Sequence, residues 1–192
     1  METVWLILAL VIASIGAAIV WGVVSARSNV DEGEKTFAAI PDFEPAKKWI
    51  NTHNGVGLAV DVERNKLALI EKRGTCLVLE FQKIVAVEVC KNGTSLIKTN
   101  RGSQVAGAAI GAALLGPMGL LVGAVTGSKR KAEKINRLSL KIYVADVLNP
   151  VREIVFYEGN PIKAEGIIHK SVGPALEEWH DRLRVIVASH PS

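Results

Sequence analysis

The residues able to do acid–base, nucleophilic or metal chemistry are few, and their spacing does not suit it. The four histidines, His53, His169, His180 and His190, fall in a linker, a loop, a helix and the terminus. None pairs with a carboxylate or thiolate at ligand spacing, so no metal site is expected. His180, beside Trp179, is expected on the water-facing side of its helix. No serine sits in a nucleophile elbow, and no glycine-rich loop ends in the Gly-Lys-Ser/Thr that cradles phosphate. Asn92-Gly93-Thr94 matches a glycosylation acceptor, but Asn-Gly is better explained as a hairpin turn, where it accepts positive φ. Two cysteines are too few for a disulfide framework. The register derived below makes Cys76 and Cys90 cross-strand neighbours, able to form a strained, switchable disulfide. A cytoplasmic domain favours free thiols instead. These residues point away from an enzyme and from any cofactor.

Function must then come from surfaces. Apolar residues make up 49% of the chain and aromatics only 5%, so the apolar content is chiefly aliphatic. That suits a β-rich domain with membrane segments. The net charge of +4 is modest and no long basic run is present. Nucleic acid is therefore not expected as a partner.

Residues 3–26 carry no charge and slightly exceed the roughly 20 residues needed to cross a bilayer. Trp5 and Trp21 lie near the two interfaces. A signal peptide would need Lys or Arg before the run and a shorter apolar core, so an uncleaved anchor is expected. Glu2 precedes the helix, whereas Arg27, Lys35, Lys47 and Lys48 follow it. The positive-inside bias predicts a single-pass protein of the cell inner membrane with its bulk in the cytoplasm. Ala9, Ala13 and Ala17, and likewise Ser14, Ala18 and Gly22, form small-residue stripes that let two helices approach closely.

Beyond the anchor, residues 28–55 form a linker with a short helix opening at Pro45 and running through Trp49. The period then becomes two. Leu58, Val60 and Val62 are expected to return through an Arg64-Asn65 turn, with Val62 opposite Leu67 and Val60 opposite Leu69. A three-residue loop, Arg73-Gly74-Thr75, sets Leu69 opposite Leu79 and Leu67 opposite Phe81. A two-residue loop there would flip the apolar set. A bend at Lys83 puts Leu79 against Val87 and Leu77 against Val89, and Asn92-Gly93 puts Val89 against Leu96. After an interruption come a sixth strand at Leu138, Leu140, Ile142 and Val144 and a seventh over residues 151–157. Val172, Ala175, Leu176, Trp179, Leu183, Ile186 and Val187 recur at helical spacing, with Glu177, Glu178, Asp181, Arg182 and Arg184 opposite.

Seven antiparallel strands and one closing helix, residues 56–188, resemble the pleckstrin-homology superfold, in particular bacterial PH-like and GRAM-like domains. The segment Phe81-Gln82-Lys83-Ile84-Val85-Ala86-Val87-Glu88-Val89 and the Trp179 helix carry the resemblance. It implies a membrane-anchored α+β protein with a barrel or sandwich plugged by its C-terminal helix. Phosphoinositide-binding members place several basic residues at the first strand turn. Here Arg64 and Lys66 alone lie there, so specific inositol-lipid binding is not expected.

An uncharged run at residues 105–127 interrupts the strands. Gly116-Pro117-Met118-Gly119 divides it into two short halves, so a hairpin is expected rather than a second crossing. Gly107 and Gly111 in one half, and Gly119, Gly123 and Gly127 in the other, are spaced for backbone contact. The run resembles the glycine-zipper hairpins of some bacterial envelope proteins. Lys129, Arg130, Lys131, Lys134 and Arg137 follow, where each could gain about 1 kcal/mol against anionic headgroups.

The expected protein is a non-enzymatic, membrane-anchored scaffold, with membrane lipid, an unidentified protein and possible further copies of itself as partners. The hairpin would serve membrane contact or self-assembly. The alternative is a membrane-perturbing protein of pore-forming or phage-exclusion type, acting through hairpin oligomerisation.

Overall fold

The computed structural model describes residues 2–72, 74–100, 134–163, 166 and 172–190. Helix α1 (Glu2–Ala38) leads into β1 (Lys47–Ile50), β2 (Gly57–Asp61), β3 (Lys66–Lys72) and β4 (Thr75–Glu80). A 3-10 turn (Phe81–Lys83) leads to β5 (Ile84–Lys91), β6 (Thr94–Asn100), β7 (Lys134–Val144) and β8 (Val151–Lys163). Helix α2 (Val172–Ser189) follows. The strands form two four-stranded antiparallel sheets, β1-β2-β3-β4 and β6-β5-β7-β8.

The inner faces follow from period-two alternation. Leu58, Val60, Leu67 and Leu69 of the first sheet share one core with Val87, Val89, Leu140 and Ile142 of the second. Helix α2 adds Leu176, Trp179, Leu183 and Ile186 to that core. Its apolar positions fall three and four residues apart, so a single stripe is buried. The C-terminal helix is therefore where its periodicity predicts it.

Several registers differ from the predicted ones. Val60 pairs with Leu67 and Leu58 with Leu69, two residues away from expectation. The cause is Asp61, whose buried carboxylate accepts the Arg64 N–H at 3.0 Å and widens the turn to residues 62–65. A shift of two preserves the inner face, and Val62 is released into the loop at 60% exposure. Between β3 and β4 the loop is the two-residue one, since Lys72 faces Thr75. With a bulge between Ile70 and Lys72, Leu67 meets Leu79 and Leu69 meets Leu77, two residues away from the expected Leu67–Phe81 and Leu69–Leu79 pairs but on the same face. The Asn92-Gly93 turn forms as predicted, with φ of 51° and 82°. A further irregularity at Val89 and Cys90 places Val89 opposite Ile97 rather than Leu96.

The largest correction lies at the predicted bend. β4 and β5 do not pair, because the 3-10 turn at Phe81 carries the chain from one sheet to the other. Leu79 and Leu77 therefore do not meet Val87 and Val89 as neighbouring strands. Cys76 lies opposite Ile70, whereas Cys90 lies opposite Ser95 and Ser139, and both are free thiols. Eight strands occur among the described residues where seven were expected. The extra one is β1, whose Lys47–Ile50 replaces the short helix expected at Pro45.

Truncating Trp179, fully buried at the centre of the core, to alanine should cost about 3–5 kcal/mol in denaturant unfolding of the detergent-solubilised chain. Asp61 supplies a pH signature. The Glu44 N–H bound to its carboxylate, then Arg64, hold its pKa below the ordinary value, outweighing burial. A depressed folded pKa stabilises the fold above the unfolded carboxylate value, and that stabilisation fades as pH falls through the folded one. Asp61→Asn should therefore lower stability at neutral pH and flatten its decline on acidification, as followed by unfolding at stepped pH.

Candidate membrane interface

The N-terminal part of α1 is bare. From Val4 to Val24 its large apolar side chains are 48–78% exposed. Thr3–Ala38 contains the one helix among the described residues long and apolar enough to cross a membrane, with a mean hydropathy of 2.6. Ala9, Ala13, Ala17, Ser14, Ala18 and Gly22 all lie on this exposed section. The Ser14 hydroxyl donates to the Val11 carbonyl at 2.8 Å, so its polarity is answered within the helix. Beyond the helix's own neighbouring backbone, nothing lies within 4 Å of a Cβ built at Gly22, which leaves that stripe open.

The helix does not stop at Ala26. It continues to Ala38, through the residues expected to form an irregular tether. Asn29, Gly33 and Phe37 are buried at four-residue steps, while Arg27, Asp31 and Lys35 stay exposed. Phe37 packs with Phe43, Ala59, Ala68 and Ile70 on the outer face of the first sheet, forming a second small core. Two glycines permit this close approach. A Cβ on Gly33 would lie 2.7 Å from Ile50 Cδ1, and one on Gly57 would lie 2.9 Å from the Trp49 carbonyl oxygen and 3.2 Å from Phe37 Cζ. The Asn29 amide donates to the Thr52 carbonyl at 2.8 Å, and Lys48 forms an ion pair with Glu34.

These contacts fix direction. Asn29 meets Thr52, Gly33 meets Ile50 and Glu34 meets Lys48, so α1 runs antiparallel to β1. The apolar section of α1 therefore extends beyond the β1–β2 connection. β8 lies across that same end of the first sheet. Its Arg152 reaches Glu71 at 3.4 Å, while Asn51 donates to the Phe156 carbonyl at 3.0 Å and Asn54 to that of Val155 at 3.2 Å. Trp49 stacks on Phe156 at 4.2 Å between ring centroids.

The predicted hairpin residues Gly107, Gly111, Gly116, Pro117, Gly119, Gly123 and Gly127 lie outside the described residues, as do Lys129, Arg130 and Lys131. The ends of this connection are described. Asn100 pairs with Ala86 near the start of β5, whereas Leu138 pairs with Lys91 at its end. β6 and β7 thus run parallel on either side of β5, and the connection joins opposite ends of the sheet. From the level of Asn100 to that of Lys134 is about nine residues, roughly 30 Å along the strands.

Of the five predicted basic contacts, Lys134 is exposed at the start of β7. Arg137 is committed elsewhere, its guanidinium 3.1 Å from Glu153 and 2.5 Å from Glu158. The remaining outer face of this sheet is also internally matched. Lys98, Glu88, Lys141 and Glu153 stand opposite one another across β6, β5, β7 and β8. Glu88 accepts the Tyr143 hydroxyl, which pushes the tyrosine pKa up to about 12. The Glu153 carboxylate accepts the Ser139 hydroxyl at 2.7 Å.

No group of three or more potential metal ligands occurs among the described residues. His180 is 2% exposed, not on the water-facing side as expected. The buried stripe is wide enough to take both Trp179 and His180, and burial pushes the imidazole pKa down. Nothing in the sequence separated His180 from its charged neighbours, because one polar residue at the margin of an apolar stripe fits either side.

A glycine-zipper-containing PH domain family matches residues 47–158, from the first residue of β1 into β8. The chain belongs to this family. The PH-like resemblance is thereby borne out, whereas the narrower GRAM-like likeness is not decided by the match. No curated protein and no solved structure matches the chain.

Phe37→Ala should destabilise the helix–sheet contact by about 3–5 kcal/mol, appearing as faster amide hydrogen exchange in β1 and β2 while β5 and β7 stay protected. The parallel β6–β7 connection also sets a minimum replacement length. Soluble loops of fewer than about nine residues between Asn100 and Lys134 should lower the unfolding midpoint, whereas loops of about 20 should not.

Proposed function

We propose that this chain is a membrane-anchored, non-enzymatic interaction protein whose PH-like domain is held against the cytoplasmic face of the bilayer by a single helix. The observation that carries this reading is the continuity of α1 from its bare apolar section into the packed face at Asn29, Gly33 and Phe37. An anchor joined to its domain without a hinge sets position as well as local concentration. PH domains commonly serve as lipid- or protein-binding modules, and the charge-matched outer face of the second sheet suits interaction better than catalysis. The glycine-spaced run at residues 105–127 would add a second attachment or a self-association element, with Lys129, Arg130, Lys131 and Lys134 beside anionic lipid. Arg137 is instead paired with Glu153 and Glu158.

Orientation is testable with cysteines placed at exposed Glu63 and Thr94, in a Cys76→Ser, Cys90→Ser background. Both should react with an impermeant maleimide in inside-out vesicles and not in right-side-out ones. The reverse pattern would overturn the cytoplasmic placement. Separately, deleting residues 2–26 and replacing residues 105–127 with a 20-residue soluble loop should abolish sedimentation with anionic liposomes that the same truncation retains with its native run. Equal sedimentation of the two would remove lipid contact from that run and leave self-association.

A further inference from the structure

The β7–β8 connection presents an apolar pair to solvent. Val147 is 97% exposed and Leu148 87% exposed, the highest values among the exposed large hydrophobic side chains beyond α1. The turn that carries them is held by its own polar groups. The Asp146 carboxylate accepts the N–H groups of Leu148 at 2.9 Å and Asn149 at 3.2 Å. The Val144 N–H donates to the Pro150 carbonyl at 2.9 Å, and the Ala145 N–H donates to that of Lys83 at 2.8 Å. Arg152 lies 4.0 Å from the other Asp146 oxygen, so the charge at the base of the turn is matched. A single exposed aliphatic needs no explanation, but two adjacent ones at a braced tip are poorly suited to water.

Its place relative to the anchor gives the tip an occupant. α1 runs antiparallel to β1, and its apolar section leaves the domain past the β1–β2 connection. β8 crosses that end of the first sheet, touching Glu71 through Arg152 and Asn51 and Asn54 through Val155 and Phe156. Glu71 and Asn51 stand at the same end, each one residue beyond the paired row Ile50, Gly57 and Ile70. β8 is thus roughly perpendicular to α1, at the level where Asn29 meets Thr52. Asn29 is three residues from Ala26, about 4.5 Å along a helix. The tip continues β8 outward past the β3 side, and its base is tied through Ala145 to Lys83 of the crossover between the two sheets.

We propose that the β7–β8 tip is a second contact with the bilayer, placing Val147 and Leu148 in the boundary between headgroups and acyl chains. This rests on α1 spanning that bilayer. The occupant is lipid because the tip lies toward the end of the domain from which the anchor emerges, with the Asp146 charge at its base matched by Arg152.

The test uses the full chain in nanodiscs of phosphatidylcholine and phosphatidylglycerol, in the Cys76→Ser, Cys90→Ser background. Leu148→Cys or, in a separate protein, Val147→Cys carries the fluorophore NBD. Ile12→Cys, read against lipid spin-labelled in mid-acyl chain, reports on the anchor, and Glu63→Cys on the far end of the first sheet. The tip probes should be blue-shifted and lose roughly half their emission to lipid spin-labelled near the headgroup, as for side chains a few Å into the interface. The Glu63 probe should keep its emission. Quenching of Ile12 with a water-like, unquenched tip would overturn the tip contact and leave the anchor standing. A blue-shifted but unquenched tip would assign it to protein and equally overturn the proposal. An unquenched Ile12 probe would remove the spanning anchor and the tip contact together.

Discussion

The contact on which the molecule's arrangement depends is the seating of Phe37 on the outer face of the first sheet. A helix that crosses a membrane and then frays into a tether leaves its domain free to tumble. Here the same helix buries Asn29, Gly33 and Phe37 against β1 and β2, and bare Gly33 and Gly57 let its backbone come within side-chain reach of the sheet. The first sheet is consequently apolar on both faces over its middle strands, as Ala59, Ala68 and Ile70 are as fully buried as Leu58 and Leu67. A sheet sandwiched in this way has little freedom to slide, so the direction of α1 becomes the direction of the domain.

The second sheet obeys the opposite rule. Its inner face is aliphatic, and its outer face is a lattice of alternating charges, Lys98, Glu88, Lys141 and Glu153, with Arg137, Ser139 and Tyr143 bound into it. Cross-strand pairs of this kind contribute a few tenths of a kcal/mol to about 1 kcal/mol each and disfavour slipped registers. A nucleophile or general base needs a group with unsatisfied bonding capacity facing a cavity. The ionisable groups of this face are directed at one another.

What the sequence made legible was periodic. The alternation in β2, β3, β5 and β7, the Asn92-Gly93 turn and the apolar stripe of α2 each express a local rule that the fold obeys. The failures occur where a single side chain overrode such a rule. Asp61 captured the Arg64 amide and moved the first hairpin by two residues, and a bulge at Glu71 replaced the third loop residue. Both corrections preserve side-chain parity, which explains how the inner face could be identified while the registers were not. The continuation of α1 was hidden for a different reason. Asp31, Glu32 and Glu34 look like a solvated linker until Gly33 is recognised as a packing residue, and a glycine inside a helix carries no signal of what it approaches. The sheet change at Phe81 was likewise invisible, because a 3-10 turn and a hairpin bend look alike in three residues.

These constraints together bear on how such a domain reads its surroundings. One spanning helix leaves the tilt of its domain weakly restrained, so a partner surface on the domain would rock toward and away from the membrane. An off-axis apolar tip restrains that tilt, because tipping the domain would pull Val147 and Leu148 out of the interface or drive them deeper. With tilt limited, the outer strands β4 and β6 keep a fixed angle to the bilayer plane, each at the end of its sheet among the described strands. An edge of that kind binds extended peptides through main-chain hydrogen bonds, and orientation decides which neighbours can reach it. The specificity of the protein would then reside less in any one residue than in the angle at which the anchor and tip present the domain.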